Sequence, residues 1–377
     1  MYKNNKVLAI GPLSDIKRNR FSGQSIMFDG TVNALKRSGK SVYIVNIFPT
    51  KENATAFRRM LDYIKILLSL LWKSFQTIGG IAYITSSLGK SGIYRDIAFL
   101  TILRLSHHNV YLHQFGADIS GIDSLHPSFK KMFTKSMGYV KQIIIEGDYI
   151  EKLFAEVPEV QGKLVKIPNG LPKEGAHANC PKSYKSGDPF RLFYLSNLIY
   201  SKGWYDVLQA VNILISEGRN VECIFAGRFI YSSDDDNTVD YKQLFYDYIE
   251  NNNLGDVVKY YTGLYGDEKD RTFSESNVFL LPSYYINEGQ PVSILEAMSY
   301  GCVPIVTNYR HIPMMVTEDN GCYVRPQCPR DIVASVCDLM DNPVTYEYKS
   351  KRCIHDYQTS FTYDMYVNKV ISVIESE

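Results

Sequence analysis

The chain has 377 residues, more than one hydrophobic core usually supports, so two domains are expected. Lys+Arg number 41 against 40 Asp+Glu, a net charge of +1, which lacks the excess positive charge that a nucleic-acid protein relies on. Hydrophobic residues make up 45% and charged residues 21%, as in a soluble globular protein, and no apolar run reaches the roughly 20 residues that cross a bilayer. The seven cysteines form no Cys-x-x-Cys pair, and Met1 to Lys6 lacks the layout of a secretion signal. Reduced thiols and a cytoplasmic location are therefore expected.

In chain order, short apolar runs alternate with helical patterns. Val7–Ile10 reads as a buried strand ending in Gly11-Pro12 and a polar loop that contains Gly23. A helix fits Ser25–Ser38 and a strand Ser41–Ile47, followed by strands at Ile81–Thr85, Asn109–His113, Gln142–Ile145 and Leu164–Ile167. Strand, helix, strand in repetition predicts an α/β fold with mainly parallel sheets.

Arg58 to Gln76 stands apart. Arg58, Asp62, Lys65, Ser69, Lys73 and Gln76 recur at spacings of three and four, a narrow polar stripe on an otherwise apolar helix. Two readings are open: a helix packed on the first sheet with one wet edge, or a surface that dips into a membrane with its cations facing headgroups.

The pattern restarts after Gly170 to Pro189, which holds Pro172, Pro181 and Pro189, three glycines and no apolar periodicity, as a linker would. Strands fit Arg191–Leu195, Val221–Phe225, Val257–Tyr261, Val278–Leu281 and Val303–Val306. Helices fit Gly203–Glu217, Tyr241–Asn251, Val292–Tyr300, Arg330–Asp341 and Tyr363–Glu375. The expected division is 1–172, a linker at 173–189, a second domain at 190–360, and a terminal helix within 361–377.

The densest pattern is Pro282-Ser-Tyr-Tyr-Ile-Asn-Glu288-Gly289-Gln290-Pro291 followed by Leu-Glu296-Ala-Met and Gly301. A strand ends, a loop follows, and a helix begins near Pro291 at its first turn. Free N–H groups at that start would face a diphosphate, and Gly289 lets the backbone approach it. Glu296 would accept hydrogen bonds from ribose hydroxyls, with Glu288 nearer the transferred sugar. Asp234-Asp235-Asp236 could hold a divalent ion, but a solvated loop is the plainer reading.

These residues resemble the retaining GT-B glycosyltransferases of family 4, whose signature is two glutamates separated by seven residues, here Glu288 and Glu296. Val303-Pro-Ile-Val306, Asn320-Gly321, Pro168-Asn169-Gly170 and Leu195-Ser-Asn197-Leu-Ile-Tyr-Ser-Lys202-Gly203 are similar to further family passages. The resemblance implies two Rossmann-like domains, an N-terminal one for the acceptor and a C-terminal one for the nucleotide sugar, with the last helix packing back on the first. It implies catalytic roles for Glu288, Lys202 and His113, and donor contacts from Glu296, Asn197, Gly227, Tyr265, Gly289, Gln290, Pro291 and Gly23. Asn197 stands where the family has an arginine, so Lys202 and the helix start must carry more of the diphosphate charge. His113 ends its strand two residues before Phe115-Gly116, where many relatives carry His-Gly.

The implied activity moves a hexose or N-acetylhexosamine from a UDP- rather than GDP-sugar to a polysaccharide or lipid-linked oligosaccharide, without metal or cofactor. The cytoplasmic face of the membrane is the expected setting, and no nucleic-acid partner is expected. A non-catalytic sugar-nucleotide-binding partner in a polysaccharide assembly is the chief alternative, and an epimerase or a phosphorylase shares the fold.

Overall fold

The computed structural model describes residues 5–15, 22–48, 55–86, 89–115, 122, 125–154, 157–171, 181–232, 235–236 and 238–375. Gly116, Asp234 and residues 173–180 of the expected linker lie outside the described residues. The chain gathers into two compact units, Met1–Lys173 with Tyr363–Glu377, and Glu174–Thr362.

Unit 1 alternates β1 (Lys6–Gly11), α1 (Gly23–Arg37), β2 (Ser41–Asn46), α2 (Ala56–Gln76), β3 (Ile81–Ser86), α3 (Lys90–Leu105), β4 (Asn109–Gln114), α4 (Pro127–Met137), β5 (Val140–Ile145), α5 (Asp148–Phe154) and β6 (Leu164–Lys166). The strands form one sheet in the order β2-β1-β3-β4-β5-β6, and every neighbouring pair is parallel. Val7 to Ile10 are all buried, the continuous apolar run of a strand covered on both faces rather than the alternation of a half-wet one. Ser22 caps α1 in a reciprocal pair with Ser25, which satisfies two N–H groups and fixes where the loop ends.

The steps β2→β3, β3→β4 and β4→β5 run one way along the sheet, so right-handed crossovers place α2, α3 and α4 on one face. Accordingly α2 packs on α3, and α3 on α4. The opposite face carries α1 together with the chain's last helix, Tyr363–Glu375. Tyr363 Oη donates to the Gly30 carbonyl at 3.0 Å, and Tyr366 Oη lies 3.2 Å from Thr31 Oγ1.

Unit 2 contains β7 (Phe190–Leu195), α6 (Trp204–Ser216), β8 (Val221–Ala226), α7 (Tyr241–Asn251), β9 (Val258–Tyr261), α8 (Gly266–Glu275), β10 (Val278–Leu281), α9 (Val292–Ser299), β11 (Val303–Thr307), β12 (Cys322–Val324), α10 (Pro329–Asp341) and α11 (Pro343–Ser360); the last helix of the chain is then α12. Its six strands, again all parallel, run β12-β11-β10-β7-β8-β9. Counted from β7 this is the doubly wound order in which the chain reverses direction between its first and fourth strands, β7 and β10. The crevice at the carboxyl ends of those two strands is where such sheets bind ligands.

The described part of the expected linker, 181–189, is tied to unit 2. Lys182 Nζ donates to the carbonyls of Phe273 and Ser274 at 2.7 Å each, neutralising the negative end of α8.

Candidate functional site

The site grows from the reversal point of unit 2. After β7 the chain turns through Ser201-Lys202-Gly203 into α6, and after β10 through Pro282–Pro291 into α9. The two turns are stitched together, because Tyr284 N–H donates to the Ser201 carbonyl at 2.8 Å. Gly203 makes this approach possible. Its φ of +78° suits glycine, and a Cβ there would lie 2.5 Å from the Pro282 carbonyl oxygen.

That stitching brings Lys202 and Glu288 together. Lys202 Nζ sits 3.2 Å from Glu288 Oε1 and 5.3 Å from the centre of the Tyr285 ring. The other Glu288 oxygen accepts from the Ser283 hydroxyl, and Thr307 Oγ1 donates to the Ser283 carbonyl. Glu288 and Ser283 are buried, so the ion pair stands in low dielectric, where each charge depends on the other. The negative field is felt nearby: burial first, and the Glu288 carboxylate second, push the Tyr194 phenol well above its ordinary value.

Beside the pair, α9 begins without a side-chain cap. Pro291 is its N-cap residue, with an extended ψ of 113°, and the helix runs from Val292, where the sequence placed its start. Pro has no N–H to donate and no side-chain acceptor, so the first amides of the helix stay open for an anion. Gly289 is half-buried and Gln290 buried in the loop that leads there. Glu296 lies one turn further on, paired with Lys269 of α8 at 2.5 Å.

Gly227, at the end of β8, has φ +149°, and a Cβ there would fall 1.8 Å from the Ser196 carbonyl oxygen. The loops after β7 and β8 are thus in backbone contact, continued by Leu198 N–H to the Arg228 carbonyl at 2.8 Å. Asn197 is exposed on the first of these loops, and Tyr265, also exposed, is the N-cap residue of α8.

The two unit 1 candidates are placed differently. Gly23 is the first residue of α1 and is exposed. His113 is wholly buried, its ring stacked on Phe115 at 4.0 Å, with Nδ1 2.8 Å from Tyr83 Oη. Burial lowers its pKa to about 3, so the imidazole is neutral. Expected beside a reacting sugar, it presents no atom to solvent here, because the end of β4 is roofed by Phe115 and Tyr366.

The sequence reading left Ser283, Lys269 and Tyr285 without roles. Ser283 lay inside the quoted motif, while Lys269 falls on a different helix and is linked to Glu296 by tertiary contact alone. Of the acidic triplet, Asp235 accepts from Ser232 N–H at 2.6 Å and Asp236 from Thr238 N–H at 2.9 Å, so both carboxylates tie up their own loop. Among the described residues no group of three or more His, Cys, Asp or Glu could hold a metal ion.

Residues 178–356 match the family model described as glycosyl transferases group 1. The matched span covers most of unit 2 and none of unit 1. No curated protein sequence is a significant match. Among solved structures, a glycosyltransferase from Rickettsia africae is similar at 13% identity, with 98% of this chain and 97% of that one covered and a TM-score of 0.71. Anabaena Alr3699/HepE in complex with UDP is similar at 12% identity over 99% and 100% of the chains, TM-score 0.71. Sucrose-phosphate synthase from Thermosynechococcus elongatus is similar at 13% identity over 98% of each, TM-score 0.69. The fold is that of the GT-B glycosyltransferases, as the motif resemblance implied.

Proposed function

We propose that the chain is a retaining glycosyltransferase that moves a hexose or N-acetylhexosamine from a nucleoside-diphosphate sugar, UDP- rather than GDP-linked, to a polysaccharide or lipid-linked oligosaccharide. The observation that carries this reading is the buried Lys202–Glu288 pair at the reversal point of unit 2, set beside the uncapped start of α9. The group 1 family match over unit 2 supports the donor class. Similar structures that hold UDP and UDP-glucose support uracil as the base.

The diphosphate would lie against the first amides of α9, with Lys202 supplying the positive charge as the glycosidic bond breaks. Glu296 would take the ribose hydroxyls, exchanging part of its contact with Lys269. Glu288 is held at both oxygens by Lys202 and Ser283, which suits a carboxylate that orients the sugar rather than one that attacks it. In the resulting front-face route the bond from C1 to the phosphate oxygen breaks while the acceptor oxygen bonds C1 on the same face. The acceptor proton passes to the departing phosphate. His113 takes no part in this step; it fixes the end of β4 through Tyr83.

A thermal-shift screen with UDP, GDP, ADP and their sugar conjugates, with and without manganese, tests the donor site, since a ligand of the folded state raises Tm by mass action. The expected result is stabilisation by UDP and its conjugates without manganese, lost in Glu296→Ala. The anomeric configuration of the product, read by NMR, tests retention. A second reading, a non-catalytic sugar-nucleotide-binding partner, is favoured by the uncharged, exposed Asn197. Nucleotide binding without turnover of any donor would select it.

A further inference from the structure

We infer that the outer face of α2, with its neighbours in the same helical layer, docks on an anionic lipid membrane. The face turned toward β2 and α3 buries Leu70 and Ser74. The face turned away from them is also apolar: Leu61, Ile64, Leu68, Leu71, Trp72 and Phe75 recur at spacings of three and four and are all exposed, Trp72 by 63% and Phe75 by 70%. The polar stripe seen in the sequence is therefore a flank between two apolar faces. At one end Lys73 and Gln76 bond to the sheet, with Lys73 Nζ on the Ile44 carbonyl and Lys6 Nζ on the Gln76 carbonyl.

The apolar surface continues beyond the helix. Gly79 N–H donates to the Ser106 carbonyl at 3.0 Å, which sets exposed Ile78 beside exposed Leu105 at the end of α3. Next along the layer, α4 presents exposed Met132 with Lys131 and Lys135, and it is joined to α3 through Phe129 against Tyr94, 4.8 Å between rings. A soluble monomer rarely leaves so large an apolar patch open.

Charge decides the occupant. Around the exposed faces stand Arg58, Arg59 and Lys65 of α2 and Lys130, Lys131 and Lys135 of α4, against one acid among the described residues of these two helices, Asp62. A second copy packed on this face would set cations against cations at the rim. A lipid surface with anionic headgroups accepts apolar side chains at its acyl boundary and the lysines and arginines just above it. Among the described residues no helix is long and apolar enough to cross a membrane, so the contact is with the surface of the bilayer.

The two tryptophans make the test direct, because Trp72 is on the patch and Trp204 is fully buried in unit 2. The full chain is mixed with phosphatidylcholine vesicles with or without phosphatidylglycerol, and followed by tryptophan emission and co-sedimentation. The expected result is a blue shift and co-sedimentation with the anionic vesicles, weakened by salt. Leu68→Glu with Phe75→Glu should reduce partitioning at least about tenfold while leaving the melting curve in place, since both side chains are exposed. Lys131→Gln with Lys135→Gln should cost about fivefold for each lysine. No binding to either vesicle overturns the inference, as does equal binding to both that ignores the lysine changes. Self-association lost in Leu68→Glu, without vesicle binding, would assign the face to a second copy and overturn it as well. None of these readouts involves a nucleotide, so failure of the proposed activity leaves this inference standing.

Discussion

Both units are sheets of six parallel strands, and both reverse strand order beside their first strand, yet they finish the carboxyl ends of those strands in opposite ways. In unit 1 side chains roof the ends: a Cβ on Gly11 would strike the Phe28 ring at 2.4 Å, and Tyr83, His113 and Phe115 close the neighbouring strands. In unit 2 the loops meet backbone to backbone, at Gly203 against Pro282 and Gly227 against Ser196, which leaves polar side chains to fill the crevice. Among the described residues, the same architecture thus carries aromatic rings at the strand ends of one unit and a charged site at those of the other.

The largest expected effect breaks this contrast at its source. Gly227→Ala places a methyl group 1.8 Å from a backbone oxygen at φ +149°, where nothing flexible can yield. It should cost unit 2 about 4 kcal/mol or more, whereas Gly11→Ala meets a side chain and should cost about 1–3 kcal/mol. Denaturant unfolding of both variants checks the ranking; equal losses would mean that the close approach does not matter.

Next come the charges. Lys202→Met should lower kcat/KM about 10²–10³-fold and, by leaving Glu288 buried and alone, destabilise unit 2 by about 3–5 kcal/mol. Adding Glu288→Gln should restore much of the stability and none of the turnover. A double variant as unstable as the single would show that the pair is not coupled.

The aromatic plug has a pH signature. His113 has a folded pKa near 3 against 6.5 unfolded, so the unfolded chain takes up a proton first as pH falls. Stability is full above pH 6.5 and lost below it, by up to about 1.4 kcal/mol per pH unit from this group. Unfolding midpoints from pH 7.5 down to 5 should show the slope, and His113→Gln should reduce it, leaving the share of His108, whose pKa burial also lowers. The smallest effect is Ser283→Ala, about 1.5 kcal/mol for a lost hydrogen bond to a buried carboxylate, with a modest drop in turnover. A Tm unchanged in that variant would show that Lys202 alone holds Glu288.

The α/β reading and most strand positions were legible because fully buried parallel strands write themselves as unbroken apolar runs, as at Val7–Ile10 and Val278–Leu281. The run of β12, Cys322–Val324, is only three residues long and does not stand out in the sequence. Glu288, Glu296 and Lys202 could be named from one loop–helix pattern and one turn, since the chemistry is concentrated in short segments there. Lys269 could not, because its partnership with Glu296 exists only once α8 and α9 are packed side by side. The exposure of Leu68 and Trp72 was likewise hidden: spacing shows that a face is apolar, but not which of two apolar faces the sheet covers.

One feature of unit 1 bears on how the protein is made. Its fold is closed by α12, whose Tyr366, Val370 and Ile374 are buried and whose Tyr363 and Tyr366 reach α1. A ribosome delivers every other helix and strand of the described residues before it delivers that one. Unit 2, drawn from one continuous stretch, can complete its fold while unit 1, whose strands are synthesised first, still waits with the α1 side of its sheet open for Tyr363–Glu375.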